Sequence, residues 1–211
     1  ATGGRSRQIP NLKQDGKNII GYREAMTLEK QPKNNTIVGS GAIGIEFAFF
    51  YNSMGSDVTV IEFQNRIVPV EDKEISKELE KNLKKKGITF LTSSEVINSK
   101  LTDSGVELDI KTSSNENKKI TSDIVLSAVG IKTNIENIGL EEIGINIKND
   151  KISTDEFYQT NVKGYYAIGD VVQGQALAHV ASAEGILCVE KIKGMDVSPL
   201  DYDCLLYTSD A

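Results

Sequence analysis

Gly39-Ser40-Gly41-Ala42-Ile43-Gly44 is the run whose residue types and spacing point most directly to chemistry. In a G-x-G-x-x-G pattern the first glycine permits a tight turn. The second lets the backbone approach a pyrophosphate, and the third lets the next helix pack on the preceding strand. The pyrophosphate then sits over the helix N-terminus, where amide N–H groups have no other partner. A tight turn with no ligand is the alternative. Context favours the ligand, because the run follows an apolar strand, Thr36-Ile37-Val38, and opens an apolar helix, Ile43 to Met54. Glu62 ends a second apolar strand, Val58 to Ile61, at the position about twenty residues past the glycines where an acid accepts from the adenosine ribose hydroxyls. A carboxylate there also repels a 2′-phosphate and so favours NAD over NADP; a solvated acid after a strand is the plain alternative. Arg66, four residues on, softens that selectivity. On this reading Glu62→Arg shifts preference toward NADPH.

Three further residues stand out. Glu46 is the one acid among the apolar neighbours of the first helix. Stabilisation by the helix dipole explains it, or it faces the nicotinamide end of the cofactor; spacing leaves both open. Tyr166-Ala167-Ile168-Gly169-Asp170 reads as a strand whose end puts a carboxylate at a sheet's carboxyl edge, able to accept from a sugar or ribityl hydroxyl, although Gly-Asp is also a common turn. His179 is the only histidine, and a lone histidine is by default structural.

The elements around these residues follow from periodicity. Residues 1–20 read as a loop and 21–30 as a short helix ended by Pro32. Residues 36–61 form a strand-helix-strand unit, with Gly55 stopping the helix. Ile75, Leu79 and Leu83 recur every four residues and predict an amphipathic helix over 72–86, followed by a strand at 88–91. Residues 94–121 alternate with turns at 103–105 and 113–117, which predicts an antiparallel β meander before a core strand at 123–129. Residues 131–163 read as turns and short extended pieces, 165–168 as a strand, and 176–193 as a helix. Small residues Ala178, Ala181, Ser182 and Gly185 on that helix would allow close packing on a sheet or ligand. The fold class is α/β.

Composition narrows the partners. The chain has 211 residues, 39% hydrophobic and 26% charged, with a net charge of −6. An acidic chain gains no counterion release from nucleic acid, and an anionic membrane surface does not attract it. No apolar run approaches the length of a membrane span. Lys84 to Lys86 sit among glutamates as a solvated face. Cys188 and Cys204 lie too far apart for redox or zinc spacing, which suits a reducing, cytoplasmic compartment. No metal site is expected.

Together these motifs resemble the flavoprotein pyridine nucleotide-disulfide oxidoreductases, and the dihydrolipoyl dehydrogenase branch most closely. Ala1-Thr2-Gly3-Gly4-Arg5 resembles the end of the family's first FAD-domain section. Gly39 to Glu46 resembles its NAD motif, and Glu62-Phe63 the NAD-selective acid. Ser127 to Asn134 resembles the second glycine motif, which the family usually writes with Arg and Pro where Lys132 and Thr133 stand. Tyr166 to Asp170, then Ala176 to His179, resembles the returning FAD segment. The resemblance implies residues 1–30 as the end of the first FAD-domain section and 31–153 as a Rossmann-like NAD-binding domain with an inserted β meander. It implies 154–202 as a returning FAD segment, so that incomplete pieces of an FAD-binding domain flank the NAD domain.

It further implies that Gly39, Ser40, Gly41, Ala42, Ile43, Gly44, Ile45, Glu46, Glu62, Val96 and Gly130 contact NAD. Thr2, Gly3, Asp170, Ala176, Leu177, Ala178 and His179 would contact FAD. Electrons would pass from dihydrolipoamide, carried on a lipoyl domain, through a disulfide and FAD to NAD+ in a homodimeric parent enzyme. The family's N-terminal FAD motif, its pair of cysteines four residues apart and its C-terminal His-Glu pair have no counterpart here. The expectation is therefore a central piece of a longer chain, inactive alone toward dihydrolipoamide, with no catalytic residue of its own. Residues 203–211 look foreign to the family. The alternatives are an NADH oxidase or another NADH-dependent flavoprotein reductase of the superfamily, or a non-enzymatic NAD-responsive module.

Overall fold

The computed structural model describes residues 1–114 and 116–202; Cys204 and the expected foreign tail lie outside the described residues. In chain order the elements are β1 (Gly4–Ser6), β2 (Ile19–Ile20), α1 (Tyr22–Ala25), β3 (Asn34–Val38), α2 (Ala42–Ser53), β4 (Asp57–Ile61) and α3 (Lys73–Lys85). There follow β5 (Thr89–Leu91), β6 (Glu95–Thr102), β7 (Gly105–Lys111), β8 (Asn117–Ser122), β9 (Ile124–Ser127) and β10 (Ile131–Thr133). The last are β11 (Ile147–Lys148), β12 (Lys151–Ile152), a 3₁₀ turn at Gly169–Val171 and α4 (Ala178–Ile192). By compactness the chain divides into a contiguous unit, residues 6–130, and a split unit, residues 1–5 with 131 onward. The domain limits expected at 30/31 and 153/154 are a proposal about the family's division of labour.

In the contiguous unit a five-stranded sheet has the order β2-β9-β3-β4-β5, with every pairing parallel. Both faces of its central strands are covered, and Ile37, Val38, Val60, Ile61, Val125 and Leu126 are buried there. On one face Ile37, Val60 and Leu126 pack with Ala48 and Tyr51 of α2 and Leu83 of α3. On the other, Val38, Ile61 and Val125 pack with Val106, Leu108 and Ile110 of the antiparallel meander β6-β7-β8. The chain leaves β3 toward β4 on one side and meets β9 on the other. The carboxyl end of β3 is therefore a topological switch point, where ligands of such sheets bind.

Gly55 and Gly87 end α2 and α3 with φ near +100°, the left-handed geometry of a helix stop. Two local expectations change. The helix expected over 21–30 is only Tyr22–Ala25, and the Thr27 N–H already reaches Glu24 O, three residues back, in a tightened last turn. In α3, Leu83 is buried and Leu79 packs against the same core, but Ile75 is exposed, so the apolar stripe meets the core from the middle of the helix onward.

The split unit contains the two-stranded pairs β1-β10 and β11-β12, the 3₁₀ turn and α4. Its core is two small clusters, one around Ile135, Ile152 and Val171 and one around Tyr158 and Leu187. The strand expected at 165–168 is absent. Its neighbour 154–160 bends around Asp155, whose Oδ1 accepts from the N–H groups of Phe157 and Gln159. That bend leaves only the isolated bridge Gln159–Tyr166 for pairing.

Candidate functional site

The glycine run follows β3 and opens α2, at the switch point. Its three glycines have different physical reasons. Gly39 has φ +102°, and a Cβ there would run into the carbonyl of Ala128, just past β9. A Cβ on Gly44 would strike the carbonyl oxygen of Gly39, so the third glycine lets the helix lie against its own loop. Gly41 is unlike both. Its φ of −67° suits any residue, and a Cβ there would meet nothing within 4 Å. Neither backbone nor packing demands glycine at 41, and the space that a side chain would fill lies open.

The helix ends carry a second contrast. Asp72 caps α3 by accepting from the N–H groups of Glu74 and Ile75. Gly41 and Leu177, which begin α2 and α4, offer no side-chain cap, and neither helix has an acid in its first turn. Their first N–H groups are left for another acceptor. Glu46 lies beyond the first turn of α2 and is exposed, where the dipole contributes little. Ala42 is exposed and Ile43 half-buried at the helix tip, while Gly44 and Ile45 turn into the core.

Glu62 is only 7% exposed, and its carboxylate is held by three donors. Oε2 accepts from the Ser40 N–H at 2.8 Å and the Ser40 hydroxyl at 2.7 Å; Oε1 accepts from the Gln64 N–H at 2.7 Å. Its backbone N–H donates to Leu91 O and its carbonyl accepts from Ser94 N–H, both at 2.9 Å. A carboxylate has about four lone-pair sites, so one acceptor position on Oε1 remains. Arg66 Nη2 donates to Pro69 O within its own loop at 2.5 Å.

Beside Glu62 a cavity of about 400 Å³ is lined by Phe63, Ser93, Ser94, Glu95, Lys111, Thr112 and Ser113. That volume falls in the usual range for small-molecule pockets. Val96, next along the chain, is 3% exposed with its side chain in the core, so any ligand contact by it is confined to backbone. Gly130 is exposed with φ +111°, and its carbonyl accepts from Arg7 N–H.

The split unit brings the expected FAD residues of the chain start and chain return close to one another. Asn134 donates its backbone N–H to Gly3 O and its amide to Thr2 O. A Cβ on Gly4 would lie 3.5 Å from Asp170 Oδ2. Asp170 is presented by the Gly169 turn, and α4 packs closely on that turn. A Cβ on Gly169 would come to 3.3 Å from Ala181, and one on Gly185 to 3.2 Å from Ile168. That approach explains Ala181 and Gly185, whereas Ala178 and Ser182 are exposed. Ala176, Leu177, Ala178 and His179 lie exposed at the start of α4.

Glu184 was not singled out by sequence, although an acid amid Ala183, Gly185 and Ile186 is the available signal. It is 1% exposed; Oε2 accepts from Gly169 N–H at 2.6 Å and Oε1 from the Tyr202 hydroxyl at 2.7 Å. Because Tyr202 spends its proton on Glu184, the Tyr158 hydroxyl, 3.0 Å away, donates to Tyr202. Burial and these bonds push the Tyr202 hydroxyl well above the usual tyrosine range. Cys188 is buried in α4, and desolvation raises its thiol, the opposite of a reactive cysteine. Among the described residues no group of acids, cysteines and histidine could hold a metal, and no helix is long and apolar enough to cross a membrane.

Comparison with known proteins agrees with this geometry. The chain is 46% identical over 202 residues to dihydrolipoyl dehydrogenase of Rhizobium etli and 45% identical to that of Bacillus subtilis, covering 95% of this chain in both cases. It spans 42% and 43% of the length of those two relatives. The crystal structure of LpdA from Mycobacterium tuberculosis superposes with a TM-score of 0.84 at 28% identity, over 95% of this chain and 43% of that one. The family profile of the pyridine nucleotide-disulphide oxidoreductases matches residues 1–185. With its parallel α/β sheet, its glycine run at the switch point and these relatives, the chain belongs to the pyridine nucleotide-disulphide oxidoreductase family.

Proposed function

We propose that this chain forms the NAD(H) site and part of the FAD site of a dihydrolipoyl dehydrogenase. The observation that carries the reading is Gly41, a glycine that the fold itself does not need, facing open space at the uncapped tip of α2. A pyrophosphate would lie against that glycine and accept from the first N–H groups of the helix. Glu62 would accept a ribose hydroxyl through its remaining Oε1 position, and the adjoining cavity would take the adenosine end. Ser40 and Ile45 act from inside the fold rather than by touching the ligand with their side chains. Thr2, Gly3, Asp170 and the open start of α4 would hold part of a flavin nucleotide in the same manner.

When bound, the flavin and nicotinamide supply hydride transfer, and the protein's contribution is position and electrostatics. In the proposed overall reaction dihydrolipoamide on a lipoyl carrier domain loses two electrons and two protons and closes to its disulfide. NAD+ takes up hydride, and one proton is released to water. The names of the relatives support that substrate, and a homodimeric enzyme is the assembly proposed with it. Isothermal titration calorimetry of the folded chain with NADH tests the reading. Saturable heat, stronger with NADH than with NADPH, is expected; no heat at millimolar NADH overturns it.

A further inference from the structure

We infer that Ser40 is the residue that makes nucleotide selectivity at Glu62 rigid, acting as a positioning residue and not as a ligand contact. The inference rests on the proposed NAD site and names what sets its specificity. Ser40 is 0% exposed, so its hydroxyl touches no ligand. Instead its N–H and hydroxyl both donate to Oε2 of Glu62, at 2.8 and 2.7 Å. Both bonds are made to an ionised acceptor, which makes them short and strong. They fill Oε2, while Oε1 has one acceptor position filled by Gln64 and one left.

Ser40 is itself held from its other side. Its carbonyl accepts from the Val68 N–H at 2.9 Å. Val68 pays for that contact with φ +36°, a left-handed conformation that a β-branched side chain rarely adopts. Strain of this kind persists where the surroundings over-determine it, and it clusters at ligand sites. The Val68 carbonyl in turn accepts from the buried Ser76 hydroxyl of α3 and from Glu71 N–H. The chain of bonds runs from α3 through Val68 and Ser40 to the carboxylate.

The chemical consequence concerns the 2′ position. A carboxylate free to rotate could turn away from a 2′-phosphate and admit NADPH. A carboxylate pinned at Oε2 cannot, and it meets a ribose hydroxyl with a fixed acceptor. Discrimination is a difference between two affinities, and the pinned negative charge supplies its repulsive half.

The test is nucleotide binding by calorimetry on the full chain and on Ser40→Ala, which deletes the hydroxyl and keeps the backbone bond. About a fivefold to tenfold loss of NADH affinity is expected, from losing one charge-assisted bond, with a smaller loss for NADPH so that the preference narrows. Ser40→Cys, similar in shape with a weak donor, is expected to narrow it in the same direction and guards against misfolding of the alanine variant. In a Glu62→Gln background the Ser40→Ala change is expected to leave the NADH-to-NADPH ratio unaltered, because the charge it orients is gone. Equal weakening of both nucleotides, or a ratio shift that persists without the Glu62 charge, assigns Ser40 a packing role only and overturns the proposal. If the unaltered chain binds neither nucleotide, the NAD reading falls and takes this one with it. If the unaltered chain prefers NADH and Ser40→Ala prefers it equally, this proposal alone falls.

Discussion

Gly41 and Glu62 separate what a residue does for the fold from what it does for a ligand. At Gly41 the two are independent. A methyl group there meets open space at an ordinary φ, so Gly41→Ala is expected to keep the melting temperature or raise it slightly, through the smaller entropy of the unfolded chain. NADH affinity is expected to fall by at least about tenfold, read by the same calorimetry, because the methyl enters the pyrophosphate's space. At Glu62 the two are inseparable. A guanidinium at 62 would face two N–H groups and a hydroxyl with no acceptor to offer them. Each orphaned buried donor costs about 1–3 kcal/mol. Glu62→Arg is therefore expected to lower stability in urea denaturation and to weaken both nucleotides. The shift of preference toward NADPH expected from sequence is read from the ratio of the two affinities.

Among the described residues, the three helices longer than one turn show a division of labour in their first turns. The N-terminus of α3 is closed by Asp72, whereas those of α2 and α4 begin without a side-chain cap beside the two groups of proposed cofactor residues. Open ends lose stability, and the cost is borne where amide donors are useful. The position of α4 depends on Glu184, which ties it to the turn carrying Asp170. Glu184→Leu would strand the Gly169 N–H, while the Tyr202 hydroxyl can turn its proton to that of Tyr158, 3.0 Å away. A loss of about 1–3 kcal/mol is expected, as for one unsatisfied donor. Hydrogen exchange should show the Gly169 amide losing protection; retained protection would mean that the turn holds itself without α4.

For the molecule as a whole, the contiguous unit is inserted in the chain of the split unit, whose two pieces must be tied by contacts distant in sequence. Arg5 supplies one tie. Its guanidinium donates to Thr133 O, Asn134 Oδ1 and both carboxylate oxygens of Glu136, and Lys132 joins Glu136 at 2.5 Å. Arg5 chiefly, then Lys132, holds the Glu136 carboxyl down to about 2, against an ordinary value of 4.5. The folded value lies below the unfolded one. The contribution is thus present in full above pH 4.5 and is lost as pH falls toward 2. In an acid titration of stability, Glu136→Gln is expected to flatten the decline across that window. A curve parallel to that of the unaltered chain would show the tie to be absent in solution. The pair is exposed, so added salt should shrink the difference between the two curves.

Much of the contiguous unit is legible along the chain. The strand, glycine turn, helix and strand of 34–61, the helix capped at Asp72 and the meander from 95 to 122 all appear near their expected limits. These features depend on local demands: a backbone that only glycine adopts at Gly39, a side-chain period, an acid at the end of a strand. The residues of 165–168 have the composition of a strand, yet pairing needs a straight neighbour, and the bend at Asp155 is not written in that run. Likewise an acid at 62 is visible in one dimension, but which of its oxygens is free is decided by Ser40, 22 residues away. Val68 and Tyr202 carry no local signal of the roles they take, and Glu184 only that of an acid among small and apolar neighbours, because those roles are hydrogen bonds closed across 15 to 28 residues. Local conformation and the candidate ligand turn were thus set by sequence. The orientation of each buried polar group was set by folding, since such a group must find a partner wherever the tertiary structure brings one within reach.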